Sequence, residues 1–207
     1  MLARRKENLD ALEKDIAGSK GYQCDVSIHE QVHATICAIT SDLGPIDVLI
    51  FNTSAGPFKP FDETTQEDFD LAMATGPSAL FAFAKAVTPG MIERGSGAIG
   101  ITGATASWRG MPSTSAKAAG NFAMRALAQS LARDMAPKGI HVFHVIIDGM
   151  VDQPRTHSWM PSKPDEEFIS PKAIAETYFS LVHQPRSCWG FEINLIAGPC
   201  YGTMASI

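Results

Sequence analysis

The side chain with the most chemistry to offer is Lys117, in the stretch STSAKAAGN at 113–121. An ammonium group buried in a cleft loses hydration, its pKa falls, and it can then act as a base; on an open helix surface, the commoner case, it does not. Arg4 and Arg5 carry forked donors able to grip a phosphate, although solvation at a chain terminus competes with that role. Metal chemistry is not indicated. Cys24, Cys37, Cys188 and Cys200 form neither a CxxC pair nor a His/Cys ligand spacing. His141 and His144, three apart on a strand, fall on opposite faces and cannot share an ion in a simple two-histidine site.

Those residues need a framework, and the hydrophobic patterning supplies one. Residues 4–17 place Leu9, Leu12 and Ile16 at helical spacing, with Gly18 as a stop. Residues 22–26 read as a short strand, and Ser27 with Glu30 predicts a capping box for a helix carrying Val32, Ile36 and Ile39. DVLIF at 47–51 is a continuous apolar run of the kind buried on both faces of a parallel sheet. Thr65 can cap a long helix over 66–93, bent near Gly76 and Pro77, ahead of a strand at 98–102. A second long helix covers 115–135; then come a strand at 141–147, a helix capped by Ser170 with Pro171 first, and a last strand at 191–196. This alternation predicts parallel βαβ units, and so one α/β domain over 1–207 built on a three-layer, doubly wound, Rossmann-type sheet. Residues 152–170 are long, polar and rich in proline for a connection inside such a domain, and are expected to cover a site or meet a partner.

Composition narrows the function. With 207 residues, 45% hydrophobic and 19% charged, a net charge of −5 and a pI near 5.6, the chain suits one soluble intracellular domain without a basic footprint for nucleic acid. No run approaches the roughly 18 uncharged apolar residues of a membrane span. The basic opening MLARR is followed at once by Glu7, Asp10, Glu13 and Asp15, against a transit peptide.

The order of these segments resembles the short-chain dehydrogenase/reductase family over nearly the whole chain. The carriers are ARR at 3–5, CDVS at 24–27, GPIDVLIFNTSAG at 44–56, TPGMIERGSGAIGITG at 88–103 and SLARDMAPKGIHV at 130–142. The resemblance implies NADP or NAD as cofactor, with Arg4 and Arg5 at a 2′-phosphate, Asp25 and Val26 at the adenine, Asn52, Ala55 and Gly56 bordering its ribose, and Asp148 and Gly149 near the nicotinamide. It begins after the family's first strand and glycine-rich turn. The first βα unit and its pyrophosphate cradle are therefore expected to be lacking, with binding of no cofactor at all the matching possibility.

The family moves its proton with a tyrosine, a lysine that lowers the tyrosine's pKa, a serine and an asparagine. Counting back from SLA at 130–132 puts the lysine position at Asn121 and the tyrosine position at Lys117; the serine position falls within 102–104, where Thr102 is the hydroxyl, and the asparagine position on Gly76. A second register sets Lys117 at the lysine position and leaves Ser113 at the tyrosine's, at the expense of about four extra residues, one helical turn, downstream. The candidates at or near family positions are thus Lys117, Asn121, Thr102 and Ser113. The sequence predicts a catalytically degenerate member retained as a structural or interaction subunit. It would be a homo-oligomer paired through the helices at 66–93 and 115–135, or part of a larger assembly, with a partner along the sheet edge at 47–51. The alternative is an NAD(P)-dependent oxidoreductase of carbonyl/alcohol substrates whose sequence is an incomplete version of the protein.

Overall fold

The computed structural model describes residues 1–53 and 56–203, with the backbone alone at 202 and 203. The chain opens with β1 (Leu2–Ala3), α1 (Lys6–Asp15), β2 (Tyr22–Gln23) and α2 (His29–Leu43). Leu2 pairs with Tyr22 in a two-stranded parallel sheet. Then come β3 (Val48–Phe51), α3 (Gln66–Met73), α4 (Ala79–Arg94) and β4 (Gly97–Ala104). The remainder is α5 (Ser115–Met135), β5 (Ile140–Ile147), α6 (Pro154–Trp159), α7 (Pro171–Val182) and β6 (Glu192–Leu195). Strands β3, β4, β5 and β6 form, in that order, a second sheet that is parallel throughout.

Helices cover both faces of this sheet, which is the expected three-layer α/β arrangement. On one side Leu49, Phe51, Ile99, Ile101, Ile140 and Val142 meet Ile36, Leu80, Phe83, Met91 and Met124 from α2, α4 and α5. On the other, Ala98, Phe143, Val145 and Ile147 meet Ile169 and Leu181, with Ile174 and Tyr178 of α7 beside them. All eight residues of β5 are buried, as fits a central strand between two helical layers. Each fully buried isoleucine there contributes about 1.5–3 kcal/mol relative to exposure.

Two local expectations are overturned. Ser27 does not cap α2: its N–H and hydroxyl both donate to Asp25 Oδ1, a local Asx-type turn, and the helix starts at His29 after an uncapped Ile28. β3 is not buried on both faces. Leu49 and Phe51 point into the core, while Val48 and Ile50 are 41% and 42% exposed, because β3 is an edge strand and only one of its faces is covered. The bend near Gly76 and Pro77 is a five-residue π turn, Ala74–Ser78: Pro77 has no N–H to continue the ladder. The joined helix Gln66–Arg94 is the one described helix long and apolar enough to cross a membrane, yet Leu80, Phe83, Val87 and Met91 on it are core residues packed among α2 and α5. Residues 152–170 are not a bare loop; they hold α6 and a 3₁₀ turn, Asp165–Glu167.

Candidate active site

A cleft of about 1020 Å³ opens at the carboxyl ends of β3 to β6. Ligands bind at this end of open parallel sheets because the strands stop there and their connections diverge. Asn52 follows β3, Thr102 to Ala104 end β4, Ile147 to Val151 leave β5, and Ile196 and Ala197 leave β6. The segment after β5 roofs the cleft with Arg155, Trp159, Met160 and Lys163, and α7 adds Ile174 and Tyr178.

Lys117 lies in this cleft at 9% exposure, in the first turns of α5. Burial pushes its pKa down, and the charge of Arg155 pushes it further in the same direction. Its ammonium stands over the Phe58 ring, 5.2 Å from the centroid. The chain reaches this position by a close approach that needs glycine. Gly56 has φ 71°, and a Cβ on it would come within 2.9 Å of the Lys117 backbone nitrogen.

The other candidates divide into two groups. Thr102, Asn52, Asp148 and Gly149 line the same cleft as Lys117. Asn121 does not: its side chain is buried inside α5 and donates to the Lys117 carbonyl at 2.8 Å. Ser113 is outside the helix, in the left-handed region at φ 64°, with its carbonyl accepting from Lys59 N–H. Arg4, Arg5, Asp25 and Val26 lie around the ends of β1 and β2, away from the cleft lining, with both arginines exposed. The Asp25 carboxyl is held below its ordinary range chiefly by the Ser27 hydroxyl. Ala55 is outside the described residues.

Sequence reasoning missed Tyr178 and Arg155. The Tyr178 hydroxyl is 2.6 Å from Thr102 Oγ1, and burial raises its pKa to about 12. The signal for it was the Ile174, Tyr178, Leu181 spacing on α7, one stripe facing the sheet. Asp148, buried at the end of β5, accepts from Thr105 and faces Arg109 at 3.4 Å.

Beneath β4, His144 is fully buried. Its Nδ1 is 3.1 Å from Glu192, which also takes two 2.7 Å bonds from Arg125. Burial is the main reason the imidazole pKa falls, outweighing Glu192, so the ring is a neutral donor at Nδ1. For Glu192 the order reverses: burial raises its pKa, but Arg125 and His144 together bring it below the usual range. The bare Nε2 of His144 faces Gly103, where a Cβ would overlap it and come within 2.7 Å of Ser107 Oγ. A side chain is therefore excluded at position 103, inside the stretch where the resemblance puts a serine. His141 bonds the Gly190 carbonyl and stacks on Trp189, so both histidines are structural.

The family model for short chain dehydrogenases matches residues 1–164. The chain belongs to the short-chain dehydrogenase family. Among curated members it is 30% identical over 143 residues to gluconate 5-dehydrogenase of Gluconobacter oxydans, covering 67% of this chain and 56% of that protein. It is 32% identical over 146 residues to 2-(R)-hydroxypropyl-CoM dehydrogenase of Xanthobacter autotrophicus, covering 69% and 58%. The chain spans about half the length of such relatives. Among solved structures it resembles a short-chain dehydrogenase from Rhodopseudomonas palustris at 34% identity and TM-score 0.78, covering 94% of this chain and 84% of that one. A closed serine dehydrogenase complexed with NADP+ matches at TM-score 0.85 and 18% identity, with 99% and 85% covered, a likeness of fold alone.

The residues present do not make a complete dinucleotide site. Lys117, Asn52, Asp148 and Gly149 line the cleft, and Arg4, Arg5 and Asp25 lie outside its lining. Among the described residues no glycine-rich turn leads from a strand into a helix to hold the pyrophosphate between them.

Proposed function

We propose that this chain is a catalytically degenerate short-chain dehydrogenase that keeps a ligand cleft and serves as a binding or assembly subunit. One observation carries the reading: Tyr178, the phenol that lines the cleft along with Lys117, is bonded to Thr102. Of the three tyrosines, Tyr22 bonds Asp42, Tyr201 is exposed near the C-terminus, and Tyr178 is tied to Thr102. With a pKa of about 12 the Tyr178 phenol stays neutral at physiological pH and is a poor proton shuttle. The residue four before Lys117 is Ser113, whose hydroxyl is a far weaker acid than a phenol.

The assembly role is supported by apolar residues left on the long helices. Phe69, Leu71, Phe81 and Phe122 are exposed on α3, α4 and α5, and Val48 and Ile50 on the open edge strand. A homodimer through the helices, or a larger assembly covering β3, would bury them.

The second reading is an NAD(P)-dependent oxidoreductase of a carbonyl/alcohol pair. It is favoured by the cleft's place at the strand ends and by relatives named as dehydrogenases. The deciding experiment titrates NADPH and NADH into the protein, watched by nicotinamide fluorescence, and assays carbonyl-dependent oxidation of both. The expected result is no turnover with any carbonyl compound. Turnover that Lys117→Ala abolishes would overturn the proposal in favour of the enzyme.

A further inference from the structure

Helix α7 and the strand ends beside it give the cleft an apolar side, lined by Ile147, Val151, Ile174, Ala175, Ile196 and Ala197. Thr102 and Tyr178 line the same cleft, and Tyr178 packs in one hydrophobic cluster with Ile147, Val151, Ile174 and Ala197. The Thr102 Oγ1 and Tyr178 Oη atoms are 2.6 Å apart. Two hydroxyls carry two hydrogens, and the bond between them uses one. Whichever oxygen donates, the other keeps a hydrogen to give, and among the described residues neither hydroxyl has a further partner. Accepting a bond polarises that second O–H and makes it the stronger donor. Because burial raises the phenol's pKa to about 12, the pair is uncharged at neutral pH and keeps both hydrogens. A donor set in an apolar wall favours a ligand with an acceptor, since a polar group left unmet there carries a desolvation penalty. It also favours a neutral ligand, since a bare charge laid against the same wall costs far more.

We infer that the Thr102–Tyr178 pair is the polar anchor for an uncharged, apolar small molecule, whose acceptor oxygen takes the second hydroxyl hydrogen while its hydrocarbon body lies along Val151, Ile174 and Ala197. The bond that makes Tyr178 a poor proton shuttle is the one that makes the pair a fixed donor. Sites of this kind combine apolar walls with a few placed polar groups that set orientation. The inference rests on reading the cleft as a ligand site, and it names the class of ligand and the atoms that recognise it.

The test uses two probes followed by ligand-observed NMR. N,N-dimethylbenzamide offers an acceptor oxygen and no N–H; isopropylbenzene has a similar outline and no polar atom. The loss of one neutral hydrogen bond corresponds to about two- to tenfold in affinity. The double variant Tyr178→Phe with Thr102→Val is expected to weaken the amide by about that factor and leave isopropylbenzene unchanged, which also shows that the cleft is intact. Each single variant keeps one hydroxyl able to donate and is expected to fall between wild type and the double variant. Equal affinity of wild type and double variant for the amide would overturn the inference, as would binding of isopropylbenzene without the amide. Binding of neither probe would overturn it together with the reading of the cleft as a ligand site. Amide binding that the double variant loses, found together with carbonyl turnover by NAD(P)H, would uphold the anchor and remove the non-enzymatic reading. Amide binding indifferent to both substitutions, without turnover, would remove the anchor alone.

Discussion

Gly103→Ala should be among the most damaging single-methyl additions to this protein. The new Cβ would overlap His144 Nε2, lie 2.8 Å from His144 Cε1 and 2.7 Å from Ser107 Oγ. Neither neighbour can yield freely. His144 is fully buried and tied to Glu192 at Nδ1, and Ser107, also fully buried, accepts from the Ala104 N–H. Overpacking of this kind costs about 1–3 kcal/mol. Displacing the ring adds about 1.5–3 kcal/mol for a hydrogen bond to a charged acceptor. Removing a strand glycine returns about 0.5–1 kcal/mol. The net loss is about 2–5 kcal/mol, or a fall of about 4–20 °C in Tm for a chain of this size. Urea unfolding followed by tryptophan fluorescence measures it, with His144→Ala as partner in a double-mutant cycle. Because a smaller residue at 144 removes the clash, the double variant should be at least about 1 kcal/mol better than the sum of the singles. A loss under about 0.5 kcal/mol for Gly103→Ala, or strict additivity, would refute the argument that His144 forbids a side chain at the end of β4.

Stability should decline with acid below about pH 6.5. The folded state keeps His144 neutral and Glu192 ionised, while the unfolded chain takes up protons at the ordinary values of 6.5 and 4.5. Each therefore contributes stability above its unfolded pKa and loses it as pH falls, and His144→Gln should flatten the slope between about pH 6.5 and 5 in urea titrations; an unchanged slope would contradict the assignment. Tyr178→Phe removes the Thr102 contact, with an expected loss of about 1 kcal/mol. In an ultraviolet titration it should also abolish the phenol that ionises near pH 12. Light scattering of the native chain should give a mass above that of one copy, and Phe81→Glu with Phe122→Glu should lower it; a native monomer would count against assembly through these helices.

The long-range order of this fold was legible in the sequence because it is written in local patterns. The 3.6-residue spacing of α1, the apolar run of β5, the Ser170–Pro171 start of α7 and the Gly76–Pro77 interruption each follow from backbone and side-chain preferences within a few residues. Ser27 misled because an Asx turn to Asp25 competes for the same hydroxyl that a cap would use. For the site, the residue types Lys117, Thr102, Asn52 and Asp148 were readable, as was the separation between Lys117 and Asn121. What spacing left open was which of those two enters the cleft. Residues four apart share a helix face, so that depends on where α5 begins against the cleft along its axis, with Gly56 packed against the Lys117 backbone in its first turn. Tyr178, Arg155 and the His144–Glu192–Arg125 network join residues 38 to 76 positions apart, from Lys117–Arg155 at the short end to Thr102–Tyr178 at the long one. A hydrogen bond or repulsion between such residues leaves no periodic trace, because burial and charge at one end are set by the chain folded over the other. Local sequence thus determined the elements and their order; only tertiary packing decided which side chains share the cleft and which positions, like 103, can hold none.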